Sequence, residues 1–120
     1  MEILLKRAYE EPSNADGFRV LVDRLWPRRK KKADLRLNAW VKEIAPSTEL
    51  RKWFDHDPKR WQEFCKRYKV ELKNPKAKKA VADTVHAAQK YSAITLIYAA
   101  KDTEHNEAIV LQDIFKRRAR

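Results

Sequence analysis

Two apolar runs, separated by a long series of helix-forming segments, constrain this chain more than any other feature. The first is Phe18-Arg19-Val20-Leu21-Val22 with Leu25 beyond it; the second is Ile94-Thr95-Leu96-Ile97-Tyr98-Ala99-Ala100. Both are short and almost wholly apolar, as strands buried on much of both faces are. A helical crossover between two such strands implies that they run parallel in one sheet. A further strand of mixed polarity is expected over Ile3 to Tyr9. The segment Glu10 to Gly17 that follows it is too short for a parallel crossover, so the first two strands should be antiparallel or non-adjacent. The expected fold is α/β: a single helix-rich domain over residues 1–120, around a small mixed sheet whose second and third strands are parallel.

The helices announce themselves by their starts. Leu37, Trp40, Val41 and Ile44 fall at i, i+3, i+4 and i+7, which predicts a helix from about Asp34 until Pro46 breaks it. Ser47 is an N-cap candidate for a short helix carrying Leu50, Trp53 and Phe54. Asp57-Pro58 and Asn74-Pro75 each combine a capping side chain with a proline at the first helical position. The first of these places Trp61, Phe64, Tyr68 and Leu72 on one face, the second Val81, Val85, Ala88 and Tyr91. A last helix turns Ala108, Leu111, Ile114 and Phe115 inward. Gly17, the only glycine, follows Asp16 in a turn and is expected at positive φ.

Charge narrows the classes of partner. The formal net charge is +11, and nearly all of it sits in two clusters, Arg28 to Lys32 and the tail Lys116, Arg117, Arg118 and Arg120. Residues 116–120 are expected to fray. Such clusters attract polyanions, although solvated surface is the ordinary alternative. The lone Cys65 excludes an internal disulfide and fits a reducing compartment. Met1-Glu2-Ile3-Leu4-Leu5-Lys6-Arg7 meets charge too soon for a signal peptide, and no apolar run approaches the roughly 20 residues that span a bilayer. A cytoplasmic protein without membrane association is expected. A single glycine rules out the Walker loop and the dinucleotide fingerprint, so no nucleotide cofactor of those classes is implied. His56, His86 and His105 lack the close pairing of a zinc site, and no metal is expected.

Ligands of open α/β sheets bind beyond the carboxyl ends of parallel strands. Two such ends carry charge here, Asp23 to Arg28 and Ala100 to Asn106. Burying Asp23 or Arg24 alone would cost several kcal/mol, so each needs a partner, solvent or a site. If the strands are neighbours, the two segments face each other beside a helix N-terminus, whose free N–H groups favour an anion. Arg24 and Arg28 could offer bidentate forks, and Lys101 a point charge. Trp26 would line the pocket, with Asp102 and Asn106 at its rim. Asp23 could orient an arginine or act as a base, and His105, with an ordinary pKa near 6.5, could move protons. The simpler account is that Asp102 or Thr103 caps the helix and the cations pair with acids.

The run Arg19-Val20-Leu21-Val22-Asp23-Arg24-Leu25-Trp26-Pro27-Arg28 resembles the YeaO-like family of small bacterial proteins, a domain family of unknown function. So do Ala45-Pro46-Ser47 with Leu50-Arg51-Lys52-Trp53-Phe54 and His56, and Tyr98-Ala99-Ala100-Lys101-Asp102 with His105-Asn106 and Ala108. The resemblance covers nearly the whole chain. It implies an α/β domain in a bacterial cytoplasm and supplies no established reaction. Two positions depart from the family pattern: Arg29 where glycine is usual, and Glu107 where histidine is common. The first makes the loop more basic; the second removes a proton carrier from any histidine-dependent mechanism.

Two functions compete. One is a small-molecule site for a phosphate- or carboxylate-bearing ligand, formed by Asp23, Arg24, Trp26, Arg28, Lys101, Asp102, His105 and Asn106, whether or not the protein is an enzyme. The other is non-specific nucleic-acid binding through Arg28, Arg29, Lys30, Lys31 and Lys32 with Lys116, Arg117 and Arg118, which would be steeply salt-dependent. Nothing in the sequence specifies a protein partner.

Overall fold

In the computed structural model, which describes residues 1–120, four strands form one sheet: β1 (Glu2–Arg7), β2 (Phe18–Leu21), β3 (Ala39–Trp40) and β4 (Ala93–Tyr98). Their order is β1-β4-β2-β3, and every neighbouring pair is parallel. The α/β class and the parallel pairing of the two apolar strands are as expected; a mixed sheet is not what forms. β1 and β2 are non-adjacent, with β4 between them. The chain from Ala8 to Gly17 needs only to cross two strand spacings, about 10 Å, and return along the sheet, which it does with a single 3-10 turn, Asn14–Asp16, and no α-helix.

Side-chain alternation divides the sheet into two unequal faces. Ile3 and Leu5, then Phe18, Val20 and Val22, then Ile94, Leu96 and Tyr98 point to a core of 20 buried residues. That face is covered by α2 (Thr48–Phe54), α3 (Trp61–Glu71), α4 (Pro75–Ala87) and α5 (Glu107–Arg118). The other face carries only Ala8, Leu21, Leu35 and Ile97, packed by Trp26, Leu37 and Trp40. A single-turn helix, α1 (Lys32–Leu35), and loops cover it. The extents of 36 × 33 × 20 Å fit this arrangement of one helical layer on one sheet.

The thin face compensates for its small apolar content with charge. Asp16 receives Arg19 Nη1 at 2.6 Å and Lys6 Nζ at 2.8 Å. Arg19 Nε donates to the Leu35 carbonyl, and the Thr95 hydroxyl donates to the Asp16 carbonyl. Gly17 completes this corner at φ 65°; a Cβ there would lie 2.3 Å from the Ala93 carbonyl oxygen. Both the expected positive φ and the close approach require glycine.

The helix predicted from Asp34 to Ile44 is corrected. The chain instead forms α1, turns through Arg36 at φ 45°, and adds β3 to the free edge of β2. Asn38 N–H donates to the Arg19 carbonyl and Val41 N–H to the Leu21 carbonyl, while Asn38 Oδ1 accepts the Arg19 N–H at 2.8 Å. The open edge of β2 needs these partners. The apparent helical stripe is split by the strand: Leu37 and Trp40 pack on the thin face, Val41 and Ile44 on the helical face.

Two local capping signals are found as read: Ser47 Oγ accepts Leu50 N–H and Asn74 accepts Lys76 N–H. Asp57 accepts Lys59 N–H, but it caps a 3-10 turn, Pro58–Arg60, that leads into α3 rather than α3 itself. Glu71, at the end of α3, accepts both the N–H and the hydroxyl of Ser47, which ties the start of α2 to α3. Phe64 and Tyr68 on α3 and Leu72 at its end are buried, and Tyr68 donates its hydroxyl to the Ile44 carbonyl. Tyr91 lies beyond α4, 40% exposed, and meets Phe18 edge-on at 5.3 Å. The basic tail begins in a helix, since α5 runs to Arg118.

Candidate functional site

The sheet opens into a cavity where β2 and β4 end. The last ladder bond runs from Val22 N–H to the Ile97 carbonyl. One residue later a side chain takes over, with Asp23 Oδ2 accepting Ala99 N–H at 2.9 Å. A carboxylate in the place of a carbonyl stops the ladder, and the chain bends before Pro27 is reached. Asp23 and Arg24 therefore do not flank a continuing strand, as alternation suggested; both line the cavity, whose volume is about 640 Å³.

The walls come from both sides. Pro46, Arg51 and Phe54, from the turn into α2 and α2 itself, face Trp26, Pro27 and Arg28. Ala99, Ala100, Lys101 and Asp102 form the β4 side, and Glu107 opens α5. The apolar wall is a stack of rings, with Phe54 on Phe64 at 4.4 Å and Phe64 on Trp61 at 5.5 Å. His56 stands at the mouth because Asp55 and His56 both take left-handed backbone, φ 47° and 55°. Aspartate and histidine tolerate that region better than most residues.

The loops that frame the cavity are pinned by hydrogen bonds. Arg24 Nε and Nη2 donate to the Pro46 and Ala45 carbonyls at 3.2 and 3.4 Å, which leaves Nη1 without a protein partner. Arg7, at the end of β1, donates to the Ala99 and Ala100 carbonyls and fixes the exit of β4. Trp26 Nε1 donates to the Lys30 carbonyl, Tyr9 hydroxyl to the Arg28 carbonyl, and Trp40 Nε1 to the Asp23 carbonyl.

Two carboxyls meet at the base. Glu107 lies within hydrogen-bonding reach of Asp23, and its pKa stands well above its ordinary value because of burial first and the Asp23 charge second. Asp23 Oδ1 is buried and receives no N–H or hydroxyl. These two facts explain each other if the proton held by Glu107 is donated to Asp23 Oδ1. The nearby Tyr68 hydroxyl is likewise pushed up, by its burial and then by Glu107, Glu71 and Asp23.

Of the residues singled out from sequence, Asp23, Arg24, Trp26, Arg28, Lys101 and Asp102 all line the cavity. His105 and Asn106 do not. His105 Nδ1 contacts Asp102 Oδ2 at 2.9 Å, and its ring sits edge-on to Trp61 at 5.4 Å. Asn106 is buried and caps α5, with Oδ1 accepting Ala108 and Ile109 N–H and Nδ2 donating to the Asp102 carbonyl. The helix cap is thus Asn106 rather than Asp102 or Thr103, and it occupies N–H groups that an anion would otherwise use. Asp102 caps the preceding turn instead; the Glu104 amide, then the His105 ring, hold its carboxyl below the ordinary range.

Sequence reasoning did not place Arg7, Tyr9, Arg51, Phe54, His56 or Phe64 at this site. Only Asp55-His56, with its tolerance of left-handed backbone after a helix, carried a local signal. Cys65 is apart from the cavity, partly buried beside the core, and burial raises its thiol pKa. The two basic clusters lie at opposite ends of the sheet. Arg28 borders the carboxyl-end cavity, whereas Arg118 and Arg120 border a second one of about 480 Å³ with Met1, His86 and Gln89, at the amino end.

The model of the family described as "Inactive DUF488-N3 subclade" matches residues 2–120. The uncharacterized protein YeaO of Escherichia coli is 46% identical over 114 residues, 94% of this chain and 96% of its own. The uncharacterized proteins Mb3100c of Mycobacterium bovis and Rv3073c of Mycobacterium tuberculosis are each 36% identical over 116 residues, 97% of this chain and 95% of theirs. No solved structure matches the chain. No helix is long and apolar enough to cross a membrane.

Proposed function

The chain belongs to the YeaO-like family, within the subclade described as inactive, and from that premise we propose that its cavity binds a small anionic ligand, bearing phosphate or carboxylate, without transforming it. The observation that carries this reading is the convergence of Arg24, Arg28, Arg51 and Lys101 on one cavity at the carboxyl ends of parallel strands. Arg24 is the best placed of them, because two of its nitrogens are anchored to carbonyls and the third is free to meet a ligand. No thiol and no aliphatic hydroxyl lines the cavity, so a Ser-, Thr- or Cys-based nucleophile is missing. His105, turned to Asp102 and Trp61, has no direct line to a ligand there. The word "inactive" in the family description points the same way.

Binding of a panel of phosphorylated and carboxylated metabolites, read by calorimetry, tests the proposal. Arg24→Ala should weaken the best binder by roughly 10- to 100-fold, the worth of one charge-assisted contact, and Lys101→Ala by less. Unchanged affinity in both variants would sink it.

Nucleic-acid binding is the second reading, favoured by the exposure of Arg28, Arg29 and Lys31 on one loop and of Lys32 at the start of α1. It must rest on that loop alone, since Lys116, Arg117 and Arg118 are at the far end of α5. Affinity for duplex DNA should then fall with salt, with a slope that shrinks when Lys31 and Lys32 are neutralised. A salt slope unaffected by that change would remove the loop from consideration.

A further inference from the structure

The cavity is electrically divided. Arg24 and Arg51 stand on the wall next to Pro46, while Asp23 and Glu107 occupy the base where β2 ends and α5 begins. We propose that the ligand is bipolar: a small zwitterion whose anionic group meets the arginines and whose protonated nitrogen meets the Asp23–Glu107 pair. This rests on the anion-binding reading above and adds the second half of the ligand.

The argument is one of donors and acceptors. If Glu107 turns a proton toward the buried and otherwise unpartnered Asp23 Oδ1, that proton is used within the pair. What the pair offers the cavity is then acceptor oxygens and one net negative charge. Acceptors with a negative charge call for N–H donors, and best for a cation. A purely anionic ligand would set its charge against the pair. The body between the two ends would lie along Phe54 and Phe64, whose stacked rings suit a flat or apolar group. Arg24, Glu71, Tyr68 and Tyr98 are the other ionisable groups that bear on this region. A cation docked on the pair also makes the second carboxylate easier to form, so binding should release part of a proton to solvent.

The test compares matched probes by calorimetry near neutral pH. They are phenylalanine against 3-phenylpropionate and phenethylamine, and phosphoethanolamine against ethyl phosphate and ethylamine. The expected result is at least one bipolar probe bound tenfold or more tightly than both its analogues that carry charge of one sign only. For that zwitterion, buffers of different ionisation heat should reveal proton release that Glu107→Gln abolishes. Asp23→Asn should bring its affinity down to that of the anion. If an anion binds as well as its zwitterion in both sets, the bipolar inference is overturned and the anion site stands. If neither anions nor zwitterions bind, the anion site falls and the inference with it. Should the variants fail to fold, the comparison of probes on the unaltered protein still decides.

Discussion

On the thin face of the sheet, Asp16 sits between Lys6 at 2.8 Å and Arg19 at 2.6 Å. At the carboxyl edge, Asp23 faces another carboxyl, that of Glu107. Asp16 is buried, Asp23 and Glu107 are half-buried, and the two arrangements answer the cost of desolvation differently. Burial would raise Asp16, but Lys6, the Ser13 amide and Arg19 together outweigh it and hold its carboxyl below the ordinary range. No cation does this for Glu107, whose pKa is raised instead, by burial and then by Asp23. The first cluster binds the chain to itself with nearly every group matched. The second leaves charge and acceptor capacity facing an open cavity. A structural cluster and a candidate site are distinguished here by what the acids touch.

The largest expected effect comes from breaking the first cluster. Asp16→Ala leaves the Arg19 side chain, 4% exposed, without its carboxylate, and one of its nitrogens is already unpartnered. Removing one member of such a buried pair costs about 3–5 kcal/mol. Urea unfolding should show a loss of that order. A loss below about 1 kcal/mol would mean that the network contributes no more than a surface ion pair.

The pH dependence of stability sharpens the contrast, because the two acids act with opposite sign. Asp16 has a folded pKa below its ordinary 3.8. Its stabilisation is present above that value and is lost as pH falls through the lower folded value. Glu107 has a folded pKa well above its ordinary 4.5. The native state then holds a proton that the unfolded chain has released. Its contribution is complete below about 4.5 and is lost as pH rises through the folded value, with a slope of at most about 1.4 kcal/mol per pH unit. Glu107→Gln, neutral at every pH, should remove this upper slope and leave the acid limb unchanged. Asp16→Asn should weaken the acid limb only. A Glu107→Gln variant with the parent's profile above pH 4.5 would show that the two carboxyls do not share a proton.

The same contrast explains how much could be read from sequence. Ser47 and Asn74 cap their helices, and Asp57 the 3-10 turn before α3, through atoms two or three residues away, so residue type and the neighbouring proline suffice to mark each start. The parallel pairing of β2 and β4 follows from the helical crossover between them. Gly17 follows from being the sole glycine in a turn. β3 was hidden because Leu37, Trp40, Val41 and Ile44 satisfy a helical period, and only the unfilled edge of β2 decides against it. The Asp23–Glu107 contact joins residues 84 positions apart in the numbering, and no local rule relates them. Arg51 lies on the polar side of α2, where an arginine that lines a cavity and one that meets only solvent look alike.

Asn106 shows the same ambiguity in one side chain, and it carries the smallest expected effect. A polar residue at the start of a helix beyond a strand can hold a ligand or hold the helix, and the residue type is the same for both. Here its Oδ1 accepts two backbone N–H groups and its Nδ2 reaches the Asp102 carbonyl. Because it is 2% exposed, nothing is left over for a ligand. Asn106→Ala should therefore cost about 1 kcal/mol of stability, as the loss of a helix cap does, rising toward 2 if the Asp102 turn loosens with it. Affinity for the best anionic probe should stay within about twofold, since neither Arg24 nor Lys101 depends on this cap. A variant with parental stability and a tenfold weaker probe would reverse the assignment and move Asn106 from the fold to the site.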